Sequence, residues 1–222
     1  RADIINVSGT VADDVVIEKR AESTLPTTTY AVPDDGLEGV YPYDTPEKAA
    51  RSIQAAIDAV YCPDGSRGKV IVAPGVYKCK NGWNLKLAKP VEVVGPADYS
   101  AIVHGQDADY RYGAVIGHSE AILRNITLTH FSSKVEDQWA TSSTPNVMAL
   151  LVNNGLADNL IITGCYKDVN VAASFIINGK ISNSLIANNF TRGKGEWDYG
   201  GGVRMWGGVL EDCIIENNKA VH

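Results

Sequence analysis

Four times in its second half the chain returns to one short pattern. It reads Leu123-Arg124-Asn125-Ile126-Thr127-Leu128, then Ala157-Asp158-Asn159-Leu160-Ile161-Ile162, then Ser182-Asn183-Ser184-Leu185-Ile186-Ala187, then Glu211-Asp212-Cys213-Ile214-Ile215-Glu216. Each copy carries Asn or Asp near its start and apolar, mostly β-branched or Leu, residues after it. Each follows a second apolar run a few residues upstream. The anchors Asn125, Asp158, Asn183 and Asp212 lie 33, 25 and 29 residues apart. Short β-type segments repeating at this interval have few ways to fold. One coil cannot bury its inward face alone, so the copies must stack as a solenoid.

Stacking sets like side chains on like. The Asn/Asp anchors are expected to form a column at a turn, where their side chains bond to backbone, and Ile and Leu columns are expected to fill the interior. Each coil is expected to open with an apolar strand (Ala114-Val115-Ile116, Ala149-Leu150-Leu151, Ser174-Phe175-Ile176-Ile177, Val203-Arg204-Met205). A tight turn, the Asn/Asp strand and a variable loop follow. Earlier strands are expected at Lys69–Val72, Pro74–Tyr77, Val91–Val94 and Ala101–Val103.

One helix is predicted near 46–61. Thr45 is its expected cap, Pro46 suits the first helical position and Glu47 the positive end of the dipole. Ala49, Ala50, Ile53, Ala56, Ile57 and Val60 make one apolar stripe at helical spacing, and Pro63-Asp64-Gly65 ends it. This helix would cover the first coil, which is otherwise an open sheet edge. Residues 1–44 read as an N-terminal extension or cap, with short strands at Ile4–Val7 and Val15–Ile17 and a Thr/Pro/Asp-rich loop at Thr24–Gly39. Residues 45–222 form the solenoid. The start at Arg1 reads as a mature or trimmed chain. The stop at Ala220-Val221-His222, directly after a repeat, reads as a solenoid truncated or covered at that end.

Ser52-Ile53-Gln54-Ala55-Ala56-Ile57-Asp58-Ala59, followed by Lys69-Val70-Ile71-Val72-Ala73-Pro74-Gly75-Val76-Tyr77, resembles the entrance of the pectin-lyase-like right-handed parallel β-helix superfamily. Pro90-Val91-Glu92-Val93-Val94-Gly95-Pro96 is similar to its next strand and turn. Gly200-Gly201-Gly202-Val203 with Val209-Leu210-Glu211-Asp212-Cys213-Ile214-Ile215-Glu216-Asn217-Asn218 resembles the repeats of large bacterial surface β-helix proteins. The resemblance covers roughly 45–222 and implies an all-β fold, a right-handed parallel β-helix with one N-terminal capping helix. It does not fix an activity, because that fold hosts lyases, hydrolases, tailspikes, adhesins and structural proteins.

The family's pectate-lyase branch holds calcium on carboxylates and uses an arginine to help abstract a proton. The matching residues here are only Asp107-Ala108-Asp109 with Arg111, a pattern that a solvated loop explains as well. The polygalacturonase branch uses clustered Asp residues and a Gly-His-Gly segment. Gly117-His118-Ser119 departs from it, and Asp13-Asp14 and Asp34-Asp35 lie before the repeats. Of the four histidines (His104, His118, His130, His222), His130 ends a repeat strand where the other copies carry Thr163, Asn188 and Asn217, so it reads as a polar turn residue. No cofactor is expected, calcium on such carboxylates being the weaker alternative, and catalysis is disfavoured.

The net charge is −6, and no basic stripe offsets it, which argues against a nucleic-acid partner. The chain is 45% hydrophobic without an 18-residue apolar run, so no membrane span is expected. Cys62 and Cys79 flank a short loop and strand and are expected to form a disulfide. Cys165 and Cys213 sit two coils apart, about 10 Å by strand spacing, beyond the roughly 7 Å that a bridge tolerates. Cys213 is expected to be a buried thiol. One disulfide and the resemblance together imply an extracellular or cell-surface protein.

The positional signal lies in a loop that recurs between coils, at Asp107–Tyr112, Ser132–Asn146, Tyr166–Asn170 and Thr191–Gly200. These loops carry Tyr110, Arg111 and Tyr112, then Trp139, then Tyr166, then Trp197, Asp198 and Tyr199. Aromatic faces beside acids and amides suit sugar rings, while the same rings can pack on one another and lid the wall. A binding or structural surface role, with polysaccharide recognised on this edge, is the leading expectation. A polysaccharide lyase or glycoside hydrolase is the first alternative, and a scaffold self-associating end to end through its last coil is the second. Asn6, Asn125 and Asn189 begin glycosylation sequons, but ladder packing accounts better for the last two.

Overall fold

The computed structural model describes residues 25–79, 85–105, 113–133, 149–167, 173–192 and 201–221. Within them every strand pairing is parallel, in four stacks. Sheet A runs β1 (Thr28–Ala31), β2 (Gly68–Val72), β5 (Val91–Val94), β8 (Ile122–Arg124), β12 (Leu156–Asp158), β16 (Lys180–Ser182) and β20 (Val209–Glu211). Sheet B runs β3 (Gly75–Lys78), β6 (Ala101–His104), β9 (Thr127–Thr129), β13 (Ile161–Thr163), β17 (Leu185–Ala187) and β21 (Ile214–Glu216). Sheet C contains β4 (Leu85–Leu87), β7 (Ala114–Ile116), β11 (Leu150–Val152), β15 (Ser174–Ile176) and β19 (Val203–Met205). Sheet D is shorter, with β10 (Ser132–Ser133), β14 (Tyr166–Lys167), β18 (Phe190–Arg192) and β22 (Lys219–Val221).

Apart from β1 and β2, which pair across the intervening helix, successive strands do not pair with each other. Each pairs with its counterpart one coil away, as β12 does with β8 and β16. The chain is therefore a parallel β-helix. Its bore is built from columns set by register. Val93, Leu123, Ala157 and Ile181 stack in sheet A, and Leu128, Ile162 and Ile186 in sheet B, all without solvent contact. Leu87, Ile116, Val152 and Ile176 form the matching column of sheet C. Each such Leu, Ile or Val side chain contributes roughly 1.5–3 kcal/mol of burial. In the last coil the columns meet solvent, and Ile215, the next member after Ile186, is 47% exposed.

The Asn/Asp repeat proves to be a corner flanked by two strands. Asn125, Asn159, Asn183 and Asp212 hold it, all at left-handed φ between 50° and 57°. The anchor of the second coil is thus Asn159. Asp158 belongs one place earlier, where it pairs with Arg124 and Ser182. A second left-handed corner follows sheet B, at His130, Gly164, Asn188 and Asn217. There too the second coil is shifted by one, with Gly164 in the place expected for Thr163.

The capping element also differs. The single α-helix among the described residues, α1, spans Ile53–Ala59, and Ser52 caps it by accepting from Ala55 N–H at 3.2 Å. Pro46–Lys48 is a separate 3-10 turn, and Thr45 makes no side-chain cap bond. The reason is competition from strand pairing. Ala50 is extended and bridges Ala31, donating to Tyr30 O at 2.8 Å and accepting from Val32 N–H at 2.9 Å. The apolar stripe from Ala49 to Val60 is buried even though only part of it is helical. Residues 28–31, expected within a loop, form the first strand of sheet A. Thr29 and Ala31 point inward there, and Thr29 Oγ1 donates to Ala56 O of the helix at 2.8 Å.

No disulfide links Cys62 to Cys79 in this structure. Cys62 lies between α1 and β2, against Gly68, whereas Cys79 directly follows β3 and donates its N–H to His104 O. Cys213 is only half-buried.

Candidate functional site

From β8 onward each coil runs through sheets A, B and D and re-enters at sheet C. On the departing side Ser132, Tyr166, Phe190 and Lys219 are aligned across β10, β14, β18 and β22. On the returning side Ala114, Leu150, Ser174 and Val203 are aligned across β7, β11, β15 and β19. The points where the variable segments leave and rejoin the solenoid thus form two parallel columns. Tyr110, Arg111, Tyr112, Trp139, Trp197, Asp198 and Tyr199, and the Asp107/Asp109 pair, lie outside the described residues.

Tyr166 is the one described member of the aromatic set. Its ring stacks on Phe190, one coil away, with centroids 5.3 Å apart and planes 2° from parallel. Such a pair adds about 0.5–1.5 kcal/mol beyond its burial. One face of Tyr166 is therefore occupied by the protein itself.

The three middle strands of sheet C beside this edge, β7, β11 and β15, are buried on both faces. Their outward residues Val115, Leu151 and Phe175 form a separate apolar cluster. Arg204 lies 5.4 Å from the centroids of both Phe175 and Trp206, and the Trp206 ring meets Phe175 edge-on at 4.9 Å. This cluster was missed from sequence, although a signal existed. Strands β7, β11 and β15 are apolar or small at every position, as a strand covered on both faces requires.

A concavity of about 660 Å³ lies at the other end of the solenoid, between segment 34–43, the start of α1, the end of β3 and the start of β4. Asp34, Glu38, Arg51 and Lys78 supply its charges, and Ile53, Tyr77, Cys79, Leu85 and Val103 its apolar lining. Burial pushes the Cys79 thiol up to about 12. It also raises the Tyr77 phenol, against the opposing pull of its hydrogen bond to Ala73 O. Neither group ionises near neutral pH, so among the described residues the charges of this lining are those of the four named. Asp34 and Arg51 stand in no repeat, which is why the repeat pattern did not point here.

The described histidines are structural in their contacts. His104 and His130 stack with centroids 4.4 Å apart, and His130 Nδ1 lies 2.8 Å from Thr129 Oγ1. His118 Nδ1 accepts from Glu120 N–H. Among the described residues no three His, Cys, Asp or Glu side chains converge on one point. The sequons Asn125 and Asn189 use their amides inside the ladder. Asn125 Nδ2 donates to Gly95 O, and buried Asn189 donates to Ile162 O and Asn218 Oδ1.

No protein-family model matches this chain, and no curated protein and no solved structure matches it. The parallel β-helix architecture rests on strand order and register.

Proposed function

We propose that this protein is an extracellular or cell-surface β-helix of pectin-lyase-like type, with a binding or adhesive role that engages polysaccharide along the loop edge. One observation carries the reading: the ends of the variable segments are aligned coil upon coil. Segments rooted in such columns offer repeated, regularly spaced contacts to an extended ligand, and loops on a rigid scaffold are where binding residues concentrate. Their sequences supply Tyr110, Tyr112, Trp139, Trp197 and Tyr199 for sugar faces and Arg111 and Asp198 for hydroxyl edges. With Cys62 and Cys79 unbonded to each other, the surface location draws on the resemblance alone.

The test is retention on immobilised polysaccharides, read for the native chain and for Trp139→Ala with Trp197→Ala. The expected result is binding to at least one polysaccharide, lost in the double variant with an unchanged melting temperature. Equal retention of both proteins overturns the assignment of the edge. Release of unsaturated products from polygalacturonate, alginate or glycosaminoglycans overturns the non-catalytic role.

A further inference from the structure

The corner between β15 and β16 carries an Asn-Gly pair, Asn178-Gly179, and the corner between β11 and β12 carries another, Asn154-Gly155. In such a pair the backbone nitrogen of the glycine can attack the asparagine side chain, because no Cβ stands in the way. The two pairs are chemically alike. They occupy the same place one coil apart, as the pairing of β11 with β15 and of β12 with β16 requires. Their surroundings differ.

Asn154 is held by both its backbone and its side chain. Its N–H donates to Ile116 O at 3.2 Å and its Nδ2 to Gly117 O at 3.2 Å, both on the preceding coil. Asn178 is exposed. Among the described residues, neither its N–H, its side chain nor the Gly179 N–H makes a hydrogen bond. The bonds that fix this corner lie on either side of the pair, from Ile177 N–H to Val152 O and from Lys180 N–H to Gly155 O, each at 2.9 Å. The Asn178 carboxamide is therefore free to turn toward the Gly179 nitrogen, and that nitrogen has no hydrogen bond to give up.

Packing keeps the pair in place. A Cβ at position 179 would fall 2.4 Å from Val152 Cγ1 and 2.7 Å from Gly155 O. Only glycine fits there, so the residue that makes Asn178 reactive is one the stacked corner cannot exchange.

We propose that Asn178 is a site of spontaneous covalent modification, a slow clock built into the solenoid. The Gly179 nitrogen gives its proton to solvent and attacks Asn178 Cγ. The new N–Cγ bond closes a cyclic imide as the side-chain nitrogen departs as ammonia. Water then opens the ring at either carbonyl, leaving aspartate or isoaspartate. Both products add a negative charge. Isoaspartate also routes the main chain through the side chain. That lengthens a corner whose flanking hydrogen bonds set the register of β15 and β16 against β11 and β12. The inference is independent of polysaccharide binding at the loop edge.

Peptide mass spectrometry of the native chain, incubated at mildly alkaline pH, tests it. The peptide holding Asn178 should gain about one dalton and split into two chromatographic forms. It should do so at least about tenfold faster than the peptide holding Asn154, because the reaction follows local freedom of the backbone. In the urea-unfolded chain the two sites should react at similar rates. The aged native chain should also unfold at lower urea than the fresh one. Asn178→Ser, which has no carboxamide to attack, should keep its midpoint through the same incubation; this control matters because a third pair, Asn81-Gly82, lies outside the described residues. Absence of the mass gain at Asn178, equal rates at Asn154 in the folded chain, or a rate gap that survives unfolding each overturns the proposal. So does an Asn178→Ser chain that ages as the native one does, or a native chain whose midpoint does not fall.

Discussion

Asn159 donates its side-chain amide to the carboxamide oxygen of Asn125, one coil away, over 2.8 Å. Both residues are left-handed, at φ 54° and 57°. The turn from sheet A to sheet B requires that backbone, and Asn tolerates it better than most residues. The network continues toward the preceding coil. Asn125 Nδ2 reaches Gly95 O at 3.2 Å, and Tyr99 Oη donates to Asn159 Oδ1 at 2.5 Å. One side chain therefore serves both the turn and the stack.

Replacing Asn159 separates those two roles. Asn159→Gly keeps the left-handed turn but loses the ladder bonds, which are worth about 0.5–1.5 kcal/mol each, for an expected loss of about 1–2 kcal/mol. Asn159→Ala loses the bonds and adds left-handed strain of about 1 kcal/mol. Urea denaturation should rank the native chain first, Gly second and Ala last; Ala at or above Gly would mean that the conformation contributes nothing.

Gly155 and Gly65 share nearly the same φ, 71° and 74°, but not the same space. A Cβ on Gly155 would lie 2.5 Å from Ala121 O and 2.6 Å from His118 O, whereas one on Gly65 would meet nothing within 4 Å. Gly65→Ala should cost about 1 kcal/mol through backbone strain alone. Gly155→Ala should cost about 2–3 kcal/mol, because the corner before β12 must also open. Thermal melts of the two variants check the difference.

Leu123 is fully buried between Val93 and Ala157, while Ile214 is 60% exposed on β21. Leu123→Ala is expected to destabilise by about 2–5 kcal/mol. Ile214→Ala should stay within about 0.5 kcal/mol of the native chain. Comparable losses at both positions in urea unfolding would contradict the placement of Leu123 in the bore and of Ile214 on an exposed outer face.

Iodoacetamide added without reductant to the denatured chain should label Cys62 and Cys79 fully, as mass spectrometry of the peptides would show. In the folded protein Cys79 should react far more slowly than Cys62. Burial raises the folded Cys79 pKa from 9.0 to about 12. Its contribution is complete below about pH 9 and is lost as pH rises toward 12, because the unfolded chain gives up that proton first. Stability should therefore fall across this window, and Cys79→Ala should reduce the slope. An unchanged slope would place the alkaline loss on Tyr77 and other groups.

The stacked architecture was readable because the repeat writes one side-chain column per position, and hydrophobic period survives small errors of alignment. Register was less readable. Asp158 and Asn159 are adjacent, both suit a turn, and only the pairing of Asp158 with Arg124 and Ser182 decides between them. The helix start was displaced for a related reason. Thr45-Pro46-Glu47 has good local capping chemistry, but Ala50 gains two backbone hydrogen bonds to Tyr30 and Val32 by staying extended. The strand at 28–31 was hidden because a three-residue Thr run beside Pro reads locally as loop.

The sequence by itself determined that this chain must stack coils around an apolar bore, since its inward residues recur at intervals that no isolated unit can bury. It also marked where the variable segments interrupt the coils. Only the tertiary structure decided which Asn stands at each corner, that Cys62 and Cys79 stay apart, and that Asp34, Glu38, Arg51 and Lys78 surround one cavity. Those outcomes depend on contacts between segments distant in the chain, and local pattern carries no record of which distant partner a residue will meet.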